Sequence, residues 1–295
     1  MQPARPTPKL SVVLPTFNGA DYLEETINNI LGQDYPNLEF IIIDGGSTDA
    51  TVDIIRRFEG RLAYWVSEPD RGQCHAINKG FARANGDIHY WANADDLLEP
   101  GSFHHVADLL TDFSKPQWLV GGARLIDGRG RQFGERVPER VDDTTFLLWS
   151  LRWIPTQSVF WNRAMWEAAG PFDEHLHYVM DLGLWQRMHR AAPAIVTPRM
   201  LGWYRLHYTS KSLSSVEKSR AERKTHLASL IAADFADARS QGDEAVQAVA
   251  ARYALLLDEL ADQCVMLEKM QRNRFLGPIL KAYRRYAPWA PELKA

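Results

Sequence analysis

The sequence predicts an α/β fold, in which a mostly parallel central sheet is flanked by helices and followed by a helical C-terminal extension. Over the first hundred residues, short apolar runs rich in β-branched residues alternate with stretches whose apolar residues recur at helical spacing. This alternation is typical of parallel sheets, because each crossover returns the chain through a helix. From about residue 213 onward the composition becomes largely helical.

The predicted strands are short apolar runs closed by turn residues, and the predicted helices lie between them. The predicted strands are Leu10–Leu14, Phe40–Ile43, Ala63–Val66 and Ile88–Ala92. Three helices are predicted: Tyr22–Leu31, a helix that Asp49 caps and that ends at Phe58, and Gln73–Ala84. The carboxyl ends of parallel strands meet at one edge of the sheet, where ligands bind. We therefore expect three polar loops to converge there, namely Thr16–Asn18, Asp44–Ser47 and Asn93–Asp96.

The composition excludes several classes of protein. The chain has 295 residues, of which 45% are hydrophobic and 24% charged, so it is neither disordered nor fibrous. A net charge of −3 argues against nucleic acid as a partner. Its two cysteines, Cys74 and Cys264, form neither a disulfide framework nor a zinc motif, which suits a reducing, cytoplasmic compartment.

No apolar stretch approaches the roughly 20 residues that span a bilayer. Residues 1–8 carry prolines and basic residues without the apolar core of a signal peptide, and we expect a flexible tail there.

Carboxylates follow two of the predicted strands. The adjacent Asp95 and Asp96 suit Mg²⁺ or Mn²⁺ shared with a phosphate oxygen, although a capped turn would use the same residues. Asp44, before two glycines, can accept a hydrogen bond from a base or a ribose hydroxyl, and the alternative is an Asx turn. The sequence lacks the dinucleotide fingerprint, the NTPase phosphate loop and the nucleophile elbow of hydrolases.

Further candidates lie downstream. Asp181 stands in an apolar, aromatic stretch, where partial desolvation in a cleft would raise its pKa and suit a general base. The alternative is a helix N-cap. Arg205 and Lys211 offer positive charge for a diphosphate, and His207 can ligate a metal or be structural.

Together these segments resemble the family 2 inverting glycosyltransferases of the GT-A fold, of the type that builds bacterial surface polysaccharides. The likeness covers residues 9 to about 212, and the order and spacing of its motifs make it specific. The motifs are Ser11–Asn18, Ile43–Asp49, Ser67–Gln73 with Ala76–Gly80, Trp91–Asp96, Gly170–Glu174 with Met180–Trp185, and Arg205–His207 with Ser210–Ser212. The resemblance implies a nucleotide-sugar half at about 9–100 and an acceptor half at about 101–212, and the composition predicts a helical region at 213–295.

The resemblance also implies a nucleotide-sugar donor, with a UDP-sugar favoured. The residues implied for the donor pocket are Pro15, Thr16, Asn18, Asp44, Arg71, Asn78, Asn93 and Asp95. Asp44 would read the base, and Arg71 and Asn78 would lie near the base or the diphosphate. Asp95 would coordinate Mn²⁺ or Mg²⁺ on the diphosphate, and Asp181 would deprotonate the acceptor hydroxyl for an in-line, inverting attack.

Two positions depart from the family pattern. Asn93 stands where the family's D-x-D usually begins, so metal coordination would rest on Asp95 with Asp96 and His207 as further ligands. Met180 replaces the Glu that often precedes the base, while Asp181 remains. These departures keep open a catalytically impaired sugar-nucleotide-binding protein. A nucleotidyltransferase that makes the nucleotide sugar is the other alternative, but it would need a glycine-rich phosphate loop near the N-terminus.

The acceptor side is expected between Trp149 and Trp161, where Trp153 would pack on a sugar and Gln157 and Ser158 would bind hydroxyls, with Arg205 nearby. The alternative is that these tryptophans belong to the core. The acceptor would be a saccharide or a lipid-linked oligosaccharide. The C-terminal region packs on the catalytic domain, forms a homodimer through the helical seam 246–260, or contacts the inner face of the membrane through the basic segment 271–295.

Overall fold

The computed structural model describes residues 6–147, 153–251 and 253. The chain forms two compact units. The first consists of the chain up to Asp142 together with Ile154–Tyr208, and the second of Asp143–Trp153 together with the chain from Thr209 onward. Most of the predicted seam 246–260 and all of the basic segment 271–295 lie outside the described residues, so the dimer and membrane hypotheses stay predictions.

The described part of the first unit is built on one nine-stranded sheet. The strands are β1 Leu10–Thr16, β2 Leu38–Asp44, β3 Tyr64–Ser67, β4 Ile88–Trp91, β5 Leu97–Leu98, β6 Trp118–Asp127, β7 Gln132–Arg136, β8 Val159–Asn162 and β9 Ile195–Leu206. Their order is β3-β2-β1-β4-β8-β6-β9-β5, and β7 pairs with β6 at the side.

Helices cover the sheet of the first unit and make up most of what is described of the second. The helices are α1 Ala20–Leu31, α2 Thr51–Arg57, α3 Gln73–Phe81, α4 Ser102–Leu109, α5 Asp143–Leu147, α6 Arg163–Ala169, α7 Met180–Ala191, α8 Lys211–Ser214 and α9 Val216–Gln241. Of these, α5, α8 and α9 belong to the second unit. Among the described helices, none has the length and apolar character to cross a bilayer.

The four strands of the N-terminal part are all parallel, as the sequence predicts. β1 is buried along its whole length, and so is β2 after its first residue, which explains why each reads as a continuous apolar run. Beyond β4 the sheet becomes mixed, because β8 runs antiparallel to both β4 and β6 while β6 and β9 are parallel.

Close packing fixes α3 on the sheet. A Cβ atom added to Gly80 would lie 2.3 Å from Cγ1 of Val13 in β1, so only glycine allows this approach. Beneath the later helices the core is aromatic: Trp118, Trp161 and Trp185 are fully buried. Trp161 is therefore a core residue, in agreement with the alternative that the tryptophans of the expected acceptor side belong to the core.

The register brings the predicted loops to one edge. Thr16 pairs with Asp44 and Asp44 with Ser67, so β1, β2 and β3 end side by side. The N–H of Gly45 donates to the Thr16 carbonyl over 2.9 Å, and that of Ala92 donates to the Val13 carbonyl over 3.0 Å. The expected convergence of the three polar loops is confirmed.

Candidate active site

Hydrogen bonds join the loop after β1 to the loop after β2. Asn18 adopts a left-handed conformation with φ of +49°. Its N–H donates to Oγ of Ser47 over 2.7 Å, and its Oδ1 accepts the N–H of Thr48 over 2.9 Å. Asn18 thus shapes the rim, whereas Pro15 and Thr16 are buried at the end of β1. The sequence prediction missed Phe17, whose side chain is 64% exposed in the middle of this turn.

Asp44 is fully buried and its carboxylate is occupied inside its own loop. It accepts hydrogen bonds from the N–H groups of Gly46 and Ser47 over 3.2 and 3.0 Å. The hydroxyls of Ser47 and Ser67 also donate to it, each over 2.5 Å. Three of these donors reach Oδ2 and one reaches Oδ1. The geometry matches the turn alternative, and the role of Asp44 toward the base stays a prediction.

Asp70 lies directly across from this turn, and the sequence prediction did not name it as a site residue. A Cβ atom on Gly45 would lie 2.6 Å from Asp70 Oδ2, so the two loops touch there. Asp70 Oδ1 accepts the N–H of Gly72 over 2.7 Å. Within the described part of the chain, no donor is bound to Oδ2. The sequence feature that could have identified Asp70 is its position between two glycine-containing turns, next to the end of a strand.

Asp95 and His207 meet at the rim, as the sequence prediction requires of shared metal ligands. Asp95 Oδ2 lies 2.9 Å from His207 Nε2, and their side chains are 29% and 13% exposed. The His207 ring packs against Tyr22 of α1, with 4.7 Å between ring centroids. No group of three or more His, Cys, Asp or Glu suited to a metal is found among the described residues. The protein therefore offers a cation two ligands here, one imidazole and one carboxylate.

Asp96 differs sharply from its neighbour. It is buried, and it accepts hydrogen bonds from Arg205 N over 2.9 Å, Gln157 Nε2 over 2.6 Å and Asn93 Nδ2 over 2.8 Å. Burial, together with the charge of Asp95, raises the pKa of Asp96 to about 8 against the effect of these bonds. A buried carboxyl that three donors already hold is poorly placed to bind a metal. Its metal-ligand role stays a prediction, and its contacts make Asp96 the anchor of the loop.

The donors to Asp96 are the side chains of Asn93 and Gln157 and the backbone N–H of Arg205. The Oδ1 of Asn93 accepts from Gln73 Nε2 over 3.1 Å, so both ends of its amide are engaged. Gln157 is 2% exposed. The Arg205 side chain is 3% exposed and donates to the Asp95 carbonyl over 2.8 Å and to Glu25 over 2.7 Å. Gln157 and Arg205 therefore face the interior rather than an acceptor.

The remaining acceptor-side residues do not define a sugar surface. Ser158 is buried and its hydroxyl donates to the Gly122 carbonyl over 2.6 Å. Trp153 belongs to the second unit, where it is half-buried, and Trp149 lies outside the described residues.

Asp181 lies in the first turn of α7 and is half-buried. Its Oδ1 accepts the N–H of Leu182 over 2.8 Å, and the N-cap position belongs to Val179, so the N-cap alternative is wrong. Met180 is buried with its sulfur 3.1 Å from that of Cys74 in α3. Gln73, next to Cys74, bonds to Asn93, which links the first turn of α7 to the Asp95 loop. The apolar setting of Met180 explains why no glutamate stands there.

Asn78 and Arg71 hold the segment that leads into α7. The Asn78 amide donates to the Phe172 carbonyl and accepts the Phe172 N–H, both over 2.9 Å. Arg71, 68% exposed, donates to Glu174 over 2.8 and 3.1 Å. Asn78 thus holds the backbone of the segment that precedes Asp181, and its role near the base or the diphosphate stays a prediction. Arg71 sits at the surface between the two segments.

Comparisons with known proteins identify this arrangement. Residues 11–154 match glycosyl transferase family 2. An uncharacterized glycosyltransferase of Rickettsia typhi is 29% identical over 227 residues, which cover 73% of this chain and 70% of the relative.

Two solved structures share the fold. S. aureus TarS 1-349 in complex with UDP-GlcNAc aligns with a TM-score of 0.55 at 17% identity, over 72% of this chain and 64% of that one. The mannosyltransferase PcManGT from Pyrobaculum calidifontis, in complex with GDP-Man and Mn²⁺, aligns with a TM-score of 0.55 at 21% identity, over 96% of this chain and 85% of that one. This chain thus spans less than two thirds of the TarS fragment. Its residues 11–154 match glycosyl transferase family 2, and the protein is a glycosyltransferase with the GT-A fold.

Proposed function

We propose that this protein transfers a sugar from a nucleoside diphosphate sugar to a hydroxyl of a saccharide or lipid-linked acceptor, with inversion at the anomeric carbon. The observation that carries the proposal is the contact of Asp95 with His207 at the edge where three loops of parallel strands converge. Ligands of open α/β sheets bind at this edge. The donors named with TarS and PcManGT, UDP-GlcNAc and GDP-Man, support the donor class.

The nucleoside fits between Phe17 and Asp70. The exposed ring of Phe17 offers a flat apolar face on which a base can stack. The Oδ2 atom of Asp70 can accept a hydrogen bond from a base N–H or a ribose hydroxyl. Because both groups lie at the ends of the loops after β1 and β3, they take the role that the sequence assigned to Asp44. Uridine is the base we would test first.

Asp95 and His207 are the residues that would hold a divalent cation. One imidazole nitrogen and one carboxylate oxygen suit Mn²⁺ better than Mg²⁺, which favours oxygen ligands. The bound ion would stabilise the negative charge of the nucleoside diphosphate leaving group.

Asp181 is the proposed general base. Its carboxylate takes the proton of the acceptor hydroxyl while that oxygen bonds to the anomeric carbon and the bond to the diphosphate breaks. One such displacement inverts the configuration. Asp181 lies in the first turn of α7, where its Oδ1 accepts the N–H of Leu182. Asn78 and Arg71 keep the preceding segment in place.

The test has two stages. Thermal shifts are recorded with UDP, GDP, dTDP and CDP, each with Mn²⁺, Mg²⁺ or EDTA, because a ligand specific for the native state raises the melting temperature. We expect a shift that depends on Mn²⁺ for one nucleotide. Hydrolysis of sugars on that nucleotide is then compared between wild type, Asp181→Asn and the matched control Asp173→Asn, an exposed acid of the preceding segment.

Asp181→Asn should keep the nucleotide shift and lose turnover by about 10²-fold or more, while Asp173→Asn stays near wild type. Near wild-type turnover in Asp181→Asn, with an intact fold by circular dichroism, would remove Asp181 as the base. A wild type that binds a nucleotide but never turns over its sugars would favour the impaired-binder alternative. No shift with any nucleotide would refute the donor proposal itself.

A further inference from the structure

The turn between β6 and β7, residues Asp127–Arg131, packs on Tyr22 and on His207 of the Asp95–His207 pair. A Cβ atom on Gly128 would lie 3.2 Å from Tyr22 Oη and 3.4 Å from His207 Cβ. The Tyr22 hydroxyl donates to the Gly128 carbonyl over 3.5 Å. The turn therefore forms one wall of the candidate site, although the sequence analysis assigned it no role.

Asp127 makes this turn rigid. Its Oδ1 accepts the N–H groups of Arg129 and Arg131, both over 2.9 Å, and its carbonyl accepts the N–H of Gly130 over 2.9 Å. Its Oδ2 also pairs with the Arg131 guanidinium, at 2.9 Å from Nε. A single carboxylate thus orders a turn that carries two arginines, and it neutralises one of them.

The other arginine keeps its charge available. Arg129 is exposed, and in the part of the chain that the structure describes its guanidinium has no hydrogen-bond or ion-pair partner. Arg205, which a sequence reading would choose for a diphosphate, is buried and bound to Glu25 and to the Asp95 carbonyl. The positive charge offered to a ligand on this wall is therefore that of Arg129, beside the residue that contacts His207.

We propose that the β6–β7 turn is a phosphate subsite in which Arg129 binds a phosphoryl group next to the Asp95–His207 pair. A planar guanidinium donates two parallel hydrogen bonds to a phosphate, and it does so best from a fixed backbone. The inference rests on the proposed function. The phosphoryl group belongs either to the donor's diphosphate or to a phosphorylated acceptor, and the two sources are separable by experiment.

The first arm measures donor binding by titration calorimetry. The nucleoside diphosphate selected by the thermal-shift panel and its monophosphate are titrated into wild type, Arg129→Ala and Arg61→Ala. Arg61 is a matched control, because it is also an exposed arginine but precedes β3, at the opposite end of the parallel strands. If the donor supplies the phosphoryl group, Arg129→Ala weakens binding of the diphosphate by about tenfold and weakens binding of the monophosphate less. Arg61→Ala changes neither affinity.

The second arm titrates inorganic phosphate into protein saturated with the same nucleoside diphosphate. If the acceptor supplies the group, wild type and Arg61→Ala bind phosphate and Arg129→Ala does not. Alanine keeps the N–H that Asp127 accepts, so the turn should fold unchanged, and an unaltered melting temperature without ligand verifies this.

Equal binding by wild type and Arg129→Ala in both arms would overturn the subsite while leaving the proposed function intact. A wild type that binds no nucleoside diphosphate would overturn both.

Discussion

Arg205 joins three separate segments around the candidate site, and its removal should cost measurable stability. Its N–H donates to Asp96, its Nε to the Asp95 carbonyl and its Nη2 to Glu25. Its guanidinium also lies 4.8 Å from the centre of the Tyr22 ring. Arg205→Met keeps the backbone bond and most of the apolar stem, so it removes the guanidinium contacts alone.

The magnitude follows from the surroundings of each contact. The charged hydrogen bond to the Asp95 carbonyl contributes about 1.5–3 kcal/mol. The ion pair contributes only about 0.5–1 kcal/mol, because the Glu25 side chain is 53% exposed and water screens it. The cation–π contact with Tyr22 adds about 0.5–1 kcal/mol. Arg205→Met should therefore lower the free energy of unfolding by about 2.5–5 kcal/mol.

Urea unfolding followed by tryptophan fluorescence measures this loss as a shift of the midpoint at constant slope. Glu25→Gln is the matched control, because it weakens the ion pair and leaves the Asp95 carbonyl bond; its expected cost is about 0.5–1 kcal/mol. If Arg205→Met costs no more than Glu25→Gln, the bond to Asp95 contributes nothing, and the description of Arg205 as a brace of the Asp95 loop is wrong.

Three further predictions follow from other parts of the structure. Burial would raise the pKa of Glu39, but hydrogen bonds from Ser11, Lys9 and Asn85 outweigh it and lower the pKa below 4.5. The charged form therefore stabilises the fold fully above pH 4.5 and less as the pH falls through the folded value; urea midpoints of wild type and Glu39→Gln should converge on acidification, and a constant difference would contradict this. Gly80→Ala should cost about 1–3 kcal/mol in thermal unfolding because its Cβ would strike β1, whereas Gly60→Ala, with nothing within 4 Å, should be neutral or stabilising by about 0.4–1 kcal/mol. His207→Ala should raise the Mn²⁺ concentration needed for the nucleotide-dependent thermal shift, measured relative to the variant's own apo melting temperature; an unchanged Mn²⁺ requirement would remove His207 from the cation site.

The donor-side architecture is readable from the sequence because local patterns determine it. β1 and β2 are almost wholly buried, so their apolar runs are unbroken, and the turn residues that follow them mark the strand ends. Parallel pairing then brings those ends together. The Asp95–His207 contact adds a long-range pairing, which the resemblance to a family supplied and which the residue pattern alone left open.

What the sequence could not reveal is which polar groups point inward. Asp96 receives bonds from Gln157 and Arg205, which are 61 and 109 residues away. No local period distinguishes such a buried carboxyl from its neighbour Asp95. The same holds for Asp44, which also accepts a hydrogen bond from Ser67, 23 residues later. Arg129 was missed because its significance depends on where Asp127 and Gly128 place the turn.

The three hydrogen-bond donors of Asp96 become available at different times while the protein is synthesised on the ribosome. The strands β1 to β4 leave the ribosome first and can pair at once, but Asp96 has only Asn93 as a donor until Gln157 and then the backbone N–H of Arg205 have been synthesised. The Asp96 loop therefore gains its full set of hydrogen bonds only after β9 has joined the sheet. A fragment that stops near residue 100 would lack two of the three donors of this carboxyl. Gene shuffling within this fold should keep Asp96 together with Gln157, whereas position 205 needs only a residue with a backbone N–H for this bond.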